Sequence, residues 1–361
     1  MVETGELTDA DLRRMVELLS LAFGGWPSVA AGVEPAAHLR WKTSSPATVC
    51  AAVLGESGTT LVTTDTPMGY RIRLRGHERL RVQFVDHAVR PDWRGQKVSS
   101  ASIAFRQRAV APRYDLSIAD GQSPTMIHRA VKFGTRRFGN EIHPLILPLQ
   151  RRQFAETWAR TQGLPAWLGR PLGALLDGRE SVRVRRRRQP RGVDGASIAA
   201  VDRFEDAIDR FFAIAGEPWD LIVVRSRAHL DGRYCDDRGG TFHKLIARDG
   251  DQAIEGYAVG GARGEHGFLV DLLALPGRVD IVSGLIETLI DDLGRAGCVD
   301  LLCWLPERHP YREALHRAGF LDARELPTIT FRPAGADPAD LDFLTEPEVR
   351  IHFTLGDTDL V

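Results

Sequence analysis

What most constrains this chain is a repeat within it. "FVDHAVRP" places Val85, Asp86 and Pro91, and "LVDLLALP" places Val270, Asp271 and Pro276, at an offset of 185 residues. The same offset relates Gly134 in "AVKFGTRRFG" to Gly319 in "ALHRAGFLDA", while "AHLRWK" from Ala37 matches "AHLDGRY" from Ala228 at 191. Three matches in the same order argue for duplication of a unit of about 150 residues. A chain of 361 residues is then expected to build two cores rather than one.

Both units carry the order helix, strands, strand-turn-helix, strand, helix, strand. In the first, Thr8 is placed to cap a helix in which Leu12, Met15, Val16, Leu19 and Phe23 recur at helical spacing. "YRIRLRG" and "RVQFVDHAV" alternate as strands do, and Ser123-Pro124 reads as the cap and first residue of a later helix. The fold class expected is α/β, an α+β mixed sheet present twice. Residues 1–150 form the first unit, 151–182 an amphipathic connector, 183–334 the second unit, and 335–361 a tail that docks through the alternating "EVRIHFTLG".

Composition excludes several function classes. Forty-seven Lys and Arg against 48 Asp and Glu leave a net charge of −1, so no global field draws nucleic acid or an anionic membrane. The basic run Arg183 to Gly192 has no interleaved aromatics and reads as a solvated edge strand. Cys50, Cys235, Cys298 and Cys303 show no metal-ligand spacing, so they read as thiols, with neither a zinc site nor a disulfide frame. The acidic N-terminus has no apolar segment, and no run of 18 apolar residues occurs, so a cytoplasmic protein without a membrane span is expected.

The stretch "VRPDWRGQKVSS", Val89 to Ser100, joins an alternating strand to a helix start. A helix beginning just after Arg94 turns its unpaired first amides and the positive end of its dipole toward an anion. Gly95 permits close backbone approach, and Arg94 and Lys97 add charge for a diphosphate. At the offset of 185, Arg94, Gly95 and Lys97 meet Val279, Asp280 and Val282, an apolar and acidic set that could not hold one. Any such ligand therefore belongs to the first unit.

These residues resemble the acyl-coenzyme-A site of the GNAT acetyltransferases, whose pattern is Val-x-Pro-x-x-Arg-Gly-x-Gly-x-Gly/Ala. Val89, Pro91, Arg94 and Gly95 match, Lys97 stands where the second glycine is expected, and Ser99 takes the place of a third small residue. "HLRWK", "GRYCDD" and the closing "HFTLGDTDLV" further resemble a bacterial two-copy branch of that superfamily. The resemblance implies a tandem GNAT fold that uses acetyl-coenzyme A or another acyl-coenzyme A, without a metal. It implies transfer to a primary amine of a small molecule such as an aminosugar or a specialised metabolite. Alternatives are a longer acyl chain, delivered by coenzyme A or a carrier protein, and a noncatalytic ligand- or protein-binding module.

The resemblance also assigns residues. Ala88, Val89, Arg94, Gly95, Gln96, Lys97, Val98, Ser99 and Ser100 would hold the coenzyme. The base would reside on the preceding strand, where His87 and Asp86 lie on opposite faces by alternation; Asp86 recurs as Asp271 in the unit without a cradle, which favours His87. The tyrosine acid of many relatives is replaced by Ala130, with His128 nearby. Trp41 and Arg233 are candidate acceptor contacts, although a core anchor and a salt bridge to Asp236 or Asp237 would explain them equally. Asp357 and Asp359 could meet a cationic acceptor or simply close a capped turn.

Overall fold

The computed structural model of the chain describes residues 1–26, 33–122, 131, 134–150, 153–156, 159, 195–323 and 328–359. Strand β1 (Val2–Thr4) leads into helix α1 (Asp9–Phe23). Thr8 and Asp11 form a reciprocal capping box, and Gly24 closes the helix in the left-handed region at φ 72°. Helix α2 (Pro35–Lys42) is capped by the Glu34 carboxylate and starts on a proline. Strands β2 (Ala52–Ser57), β3 (Thr60–Leu74) and β4 (His77–Val89) follow as an antiparallel meander, then helix α3 (Val98–Ala109) and strand β5 (Leu116–Gln122).

The chain continues with β6 (Arg136–Arg137), β7 (Ile142–Pro148), β8 (Ser197–Ala200), helix α4 (Ala207–Ala215), β9 (Leu221–Val223) and helix α5 (Arg227–Tyr234). Next come β10 (Phe242–Arg248), β11 (Ile254–Arg263), β12 (His266–Ala274), helix α6 (Val279–Arg295) and β13 (Asp300–Pro306). Helix α7 (Arg312–Ala318), β14 (Leu321–Asp322), β15 (Thr328–Pro333) and β16 (Ile351–His352) complete the described elements.

Two mixed sheets result. One runs β1-β2-β3-β4-β5-β15-β6, with β9 and β16 attached beside β3; the other runs β14-β7-β13-β12-β11-β10-β8. The sheets exchange strands. β7 pairs with β13 and β14 in the second sheet, and β15 pairs with β5 and β6 in the first. A cut at residue 150 therefore separates β7 from β13 and β14, and the same cut separates β15 from β5 and β6.

The exchange is held by apolar burial. Leu145 and Leu147 sit among Leu269, Leu285 and Leu301, and Phe331 sits among Leu116, Ile118 and Phe138. Each such side chain contributes about 1.5–3 kcal/mol when fully buried. In the first sheet α1 and α2 cover one face through Leu12, Met15, Leu39 and Ala88. Helix α3 covers the other, where Phe105 and Val110 meet Val82. Among the described residues, no helix is long and apolar enough to cross a membrane. The four cysteines are free thiols.

Candidate active site

Simple alternation breaks in β4 where it matters most. Thr64 opposes Ala88 and Thr66 opposes Val85, so Asp86 and His87 together face Asp65 alone. This is a β-bulge, and Asp86 takes a positive φ of 52° to make it, which a short polar side chain tolerates better than most. The bulge parts the two side chains. Asp86 turns to the α2 face, where it accepts from Lys42 Nζ at 3.0 Å and from Trp26 Nε1 at 2.9 Å. His87 turns to the α3 face, with Nδ1 2.8 Å from Asp65 Oδ2 and Nε2 2.9 Å from Ser99 Oγ. The second sheet has a bulge at the matching place, with Val259 opposite Asp271 and Gly260 opposite Leu269.

Strands β4 and β5 then separate. They pair only at Arg81 with Leu116 and Val82 with Ser117. Continuing that register three residues would bring Val85 opposite Asp120, but no pairing joins the strands there, and this unpaired stretch is the wedge between them. Nearby, the hydroxyls of Thr64 and Thr66 are buried without a protein partner, and the buried Gln83 amide and Asp120 carboxyl have at most each other. Leaving one such group unmet costs about 1–3 kcal/mol, so a row of them beside parted strands fits a place that a polar ligand completes. Burial pushes the Asp120 carboxyl up to about 7, helped by the Asp359 carboxylate and opposed by Arg81.

Pro91–Trp93 make a single 3₁₀ turn, and Gly95 and Lys97 both lie in the left-handed region, at φ 81° and 63°. Lys97 therefore carries the strain that a glycine would relieve. No side chain caps α3, and its first internal bond runs from Ala101 N to Lys97 O, so the amides of Val98, Ser99 and Ser100 project from the helix start. Ala88 and Val89 pair with β3 alone, which leaves the wedge side of β4 without a strand. Gln96 bonds back to Asp92 O, and Arg94 Nη2 reaches Ala22 O at the end of α1.

The second half differs more than residue matching at a fixed offset implies. α3 starts nine residues after the end of β4, but α6 starts five after the end of β12. Val279, Asp280 and Val282 therefore do not occupy the positions of Arg94, Gly95 and Lys97; the cradle is missing because the loop is four residues shorter. Asp280 is instead gripped by Arg278 at 2.7 Å. At the end of β12, the Tyr311 hydroxyl accepts from Ala274 N and donates to Ala274 O, at 3.0 and 3.3 Å. Those backbone groups correspond to the ones that stay available at Val89.

Between the halves lies a wall of paired charge. Trp41 is 5% exposed and donates to Gly232 O at 2.7 Å, with the Arg233 guanidinium 5.1 Å from its ring centre. Arg233 donates to Thr358 O, and Asp236 binds Arg238. Trp41 and Arg233 thus join α2 to its repeat partner α5 and the tail. They also line a cavity of about 230 Å³ together with Tyr70 and His229. Lys42 is buried between Asp86 and Asp359, 3.0 Å from each; burial alone would lower its pKa, but the two carboxylates raise it. Asp271 and Asp357 both bind the buried Arg225, at 2.9 and 2.8 Å. Asp357 and Asp359 are therefore committed to cations of the chain.

His128, Ala130, most of the connector and the run Arg183 to Gly192 lie outside the described residues. Sequence reading passed over Asp65, Lys42 and Asp120. A buried strand aspartate ahead of a basic helix face was the available signal for Asp65, and an aspartate closing "YDLSIAD" was the one for Asp120. Among the described residues no group of three or more His, Cys, Asp or Glu gathers to hold a metal ion.

No family model and no curated protein matches the sequence. Solved structures do match in fold. A conserved Enterococcus faecalis protein of unknown function, described as a probable N-acyltransferase, superposes with a TM-score of 0.59 at 12% identity, over 92% of this chain and 72% of its own. A GCN5-related N-acetyltransferase from Anabaena variabilis gives 0.59 at 11% over the same shares. The Saccharomyces cerevisiae N-myristoyltransferase, solved with myristoyl-CoA and inhibitors, gives 0.59 at 13%, over 92% of this chain and 79% of its own. The chain has the GNAT acyltransferase fold, a mixed α/β architecture spanning both halves.

Proposed function

We propose that the protein is an acyl-coenzyme-A-dependent N-acyltransferase whose donor lies in the wedge between β4 and β5 of the first half. The observation that carries this is the parting of those strands after Val82 and Ser117, directly before a helix whose first amides are uncapped. The residues fit the donor. Val98, Ser99 and Ser100 would meet the diphosphate with their amides, Gly95 and Lys97 hold the turn that exposes them, and the open edge of Ala88 and Val89 would receive the pantetheine amides. Bound there, the donor supplies an activated thioester carbonyl.

The chain must take a proton from the incoming amine, and Asp120 is the group poised to do so. A carboxyl held up to about 7 still accepts a proton near neutrality while retaining basicity that an exposed aspartate lacks. Asp86 serves the site differently, as the counter-charge that fixes Lys42 and, through it, Asp359. His87 is tied to α3 on the opposite face and takes no part in this transfer. Trp41 and Arg233 close the acceptor side. The acceptor in this reading is a small-molecule primary amine, and the simplest donor is acetyl-coenzyme A.

The likeness to an N-myristoyltransferase supports a second reading, with a longer acyl group carried by coenzyme A or a carrier protein. A thiol-release assay with acetyl-, decanoyl- and myristoyl-coenzyme A across a panel of amines decides between them. Amine-dependent release confirms transfer, its chain-length profile names the donor, and no release with any pair, alongside no binding of the donors, refutes both.

A further inference from the structure

On the α3 face, three side chains stand in a line that the transfer does not use. Asp65 Oδ2 lies 2.8 Å from His87 Nδ1, and His87 Nε2 lies 2.9 Å from Ser99 Oγ. Asp65 is fully buried, fixed by Arg106 and by Ser102 Oγ at 3.0 Å. Burial alone would raise its pKa, but Arg106 and then His87 hold it low, so it remains a carboxylate. A carboxylate on Nδ1 places the proton there and leaves Nε2 to accept from the serine. His87 keeps 26% of its side chain exposed, and Ser99 is half-buried, so the far end of the line is reachable from solvent.

Ser99 is also the second residue of α3, where the amides of Val98, Ser99 and Ser100 have no internal acceptor. A nucleophile, its base, the group that orients the base, and donors for an oxyanion are thereby collected within one strand-turn-helix. We propose that Ser99, His87 and Asp65 form a serine-nucleophile triad that accepts an acyl group from a small ester or thioester and hydrolyses it. This activity is separate from amine acylation and needs no coenzyme A; it draws on the same α3 amides that the diphosphate would occupy, so coenzyme A bound there would compete with it.

The step balances without a further reactant. Ser99 Oγ attacks the acyl carbonyl while its proton passes to His87 Nε2, and the carbonyl electron pair moves onto oxygen, facing the α3 amides. The intermediate collapses, the bond to the leaving alcohol or thiol breaks, and His87 returns the proton to that leaving group. Water then adds to the seryl ester, again giving its proton to His87, which passes it to Ser99 as the carboxylic acid departs. Asp65 stays ionised throughout and steadies the imidazolium.

The full chain treated with a fluorophosphonate probe and digested with trypsin tests the assignment, because the peptide "VSSASIAFR" spans residues 98–106. An adduct on Ser99 is expected. It disappears in Ser99→Ala and forms about a hundredfold or more slowly in His87→Gln, and p-nitrophenyl acetate hydrolysis falls in parallel. Ser99 is near the surface, so Ser99→Ala retains the wild-type melt and its loss of labelling is chemical. No adduct on this peptide, labelling that survives Ser99→Ala, or an unchanged rate in His87→Gln overturns the triad.

Discussion

Replacing Asp120 by asparagine removes one titrating proton from a buried site and keeps nearly the same shape. Burial, and next the Asp359 carboxylate, raise this carboxyl from 3.8 to about 7. The whole displacement corresponds to about 4 kcal/mol between the two protonation states. For a carboxyl raised on folding, the associated stability is complete below the unfolded value and is lost as pH rises through the folded one. Wild type therefore weakens between pH 4 and pH 7 by an amount the variant escapes. Between pH 5 and pH 8, the stability of Asp120→Asn relative to wild type should grow by about 2–3 kcal/mol. Paired urea melts at those two pH values measure this difference and cancel the titrations the proteins share. If Asp120 is the base, wild-type kcat/KM also rises through pH 7, and the variant loses about a hundredfold or more. Parallel stability curves would show that burial does not hold this carboxyl up, and the assignment of the base would fall with it.

Two other substitutions follow from the geometry. Lys97→Gly relieves the left-handed strain at φ 63° and should add roughly 1 kcal/mol of stability; a melt showing a loss instead would mean the lysine side chain is held by contacts that offset the strain. Lys42→Met leaves Asp86 and Asp359 buried side by side without their cation and should cost about 3–5 kcal/mol in a denaturant melt; a cost under about 1 kcal/mol would show that the trio is not a structural clasp.

The first helix with its cap, the strand-turn-helix and the left-handed glycine in its turn were legible because they rest on local rules. Alternation in "RVQFVDHAV", the capping box at Thr8 and the glycine before a helix start each act within a few residues. Strand exchange was not legible, since the apolar residues of β7 and β15 determine that they are buried but not which sheet receives them. The bulge at Asp86 was hidden for a related reason: a period of two says where side chains point only while the register is unbroken. Sequence spacing likewise gave no reason to join Asp65, His87 and Ser99, which come together only because β3, β4 and α3 stack. Comparison of the halves at one offset found a basic turn in the first half and none in the second, and the cause of that difference is a shortened loop rather than substituted residues.

Calorimetric titration of coenzyme A into the protein decides where the donor sits. One site per chain is expected in wild type, with a loss of affinity of tenfold or more in Ser100→Glu, which sets a carboxylate among the first amides of α3. An acidic residue there favours the helix itself, so the loss cannot be laid to unfolding. Absence of binding at millimolar coenzyme A, or binding indifferent to Ser100→Glu, would contradict the placement of the donor in the first half's wedge.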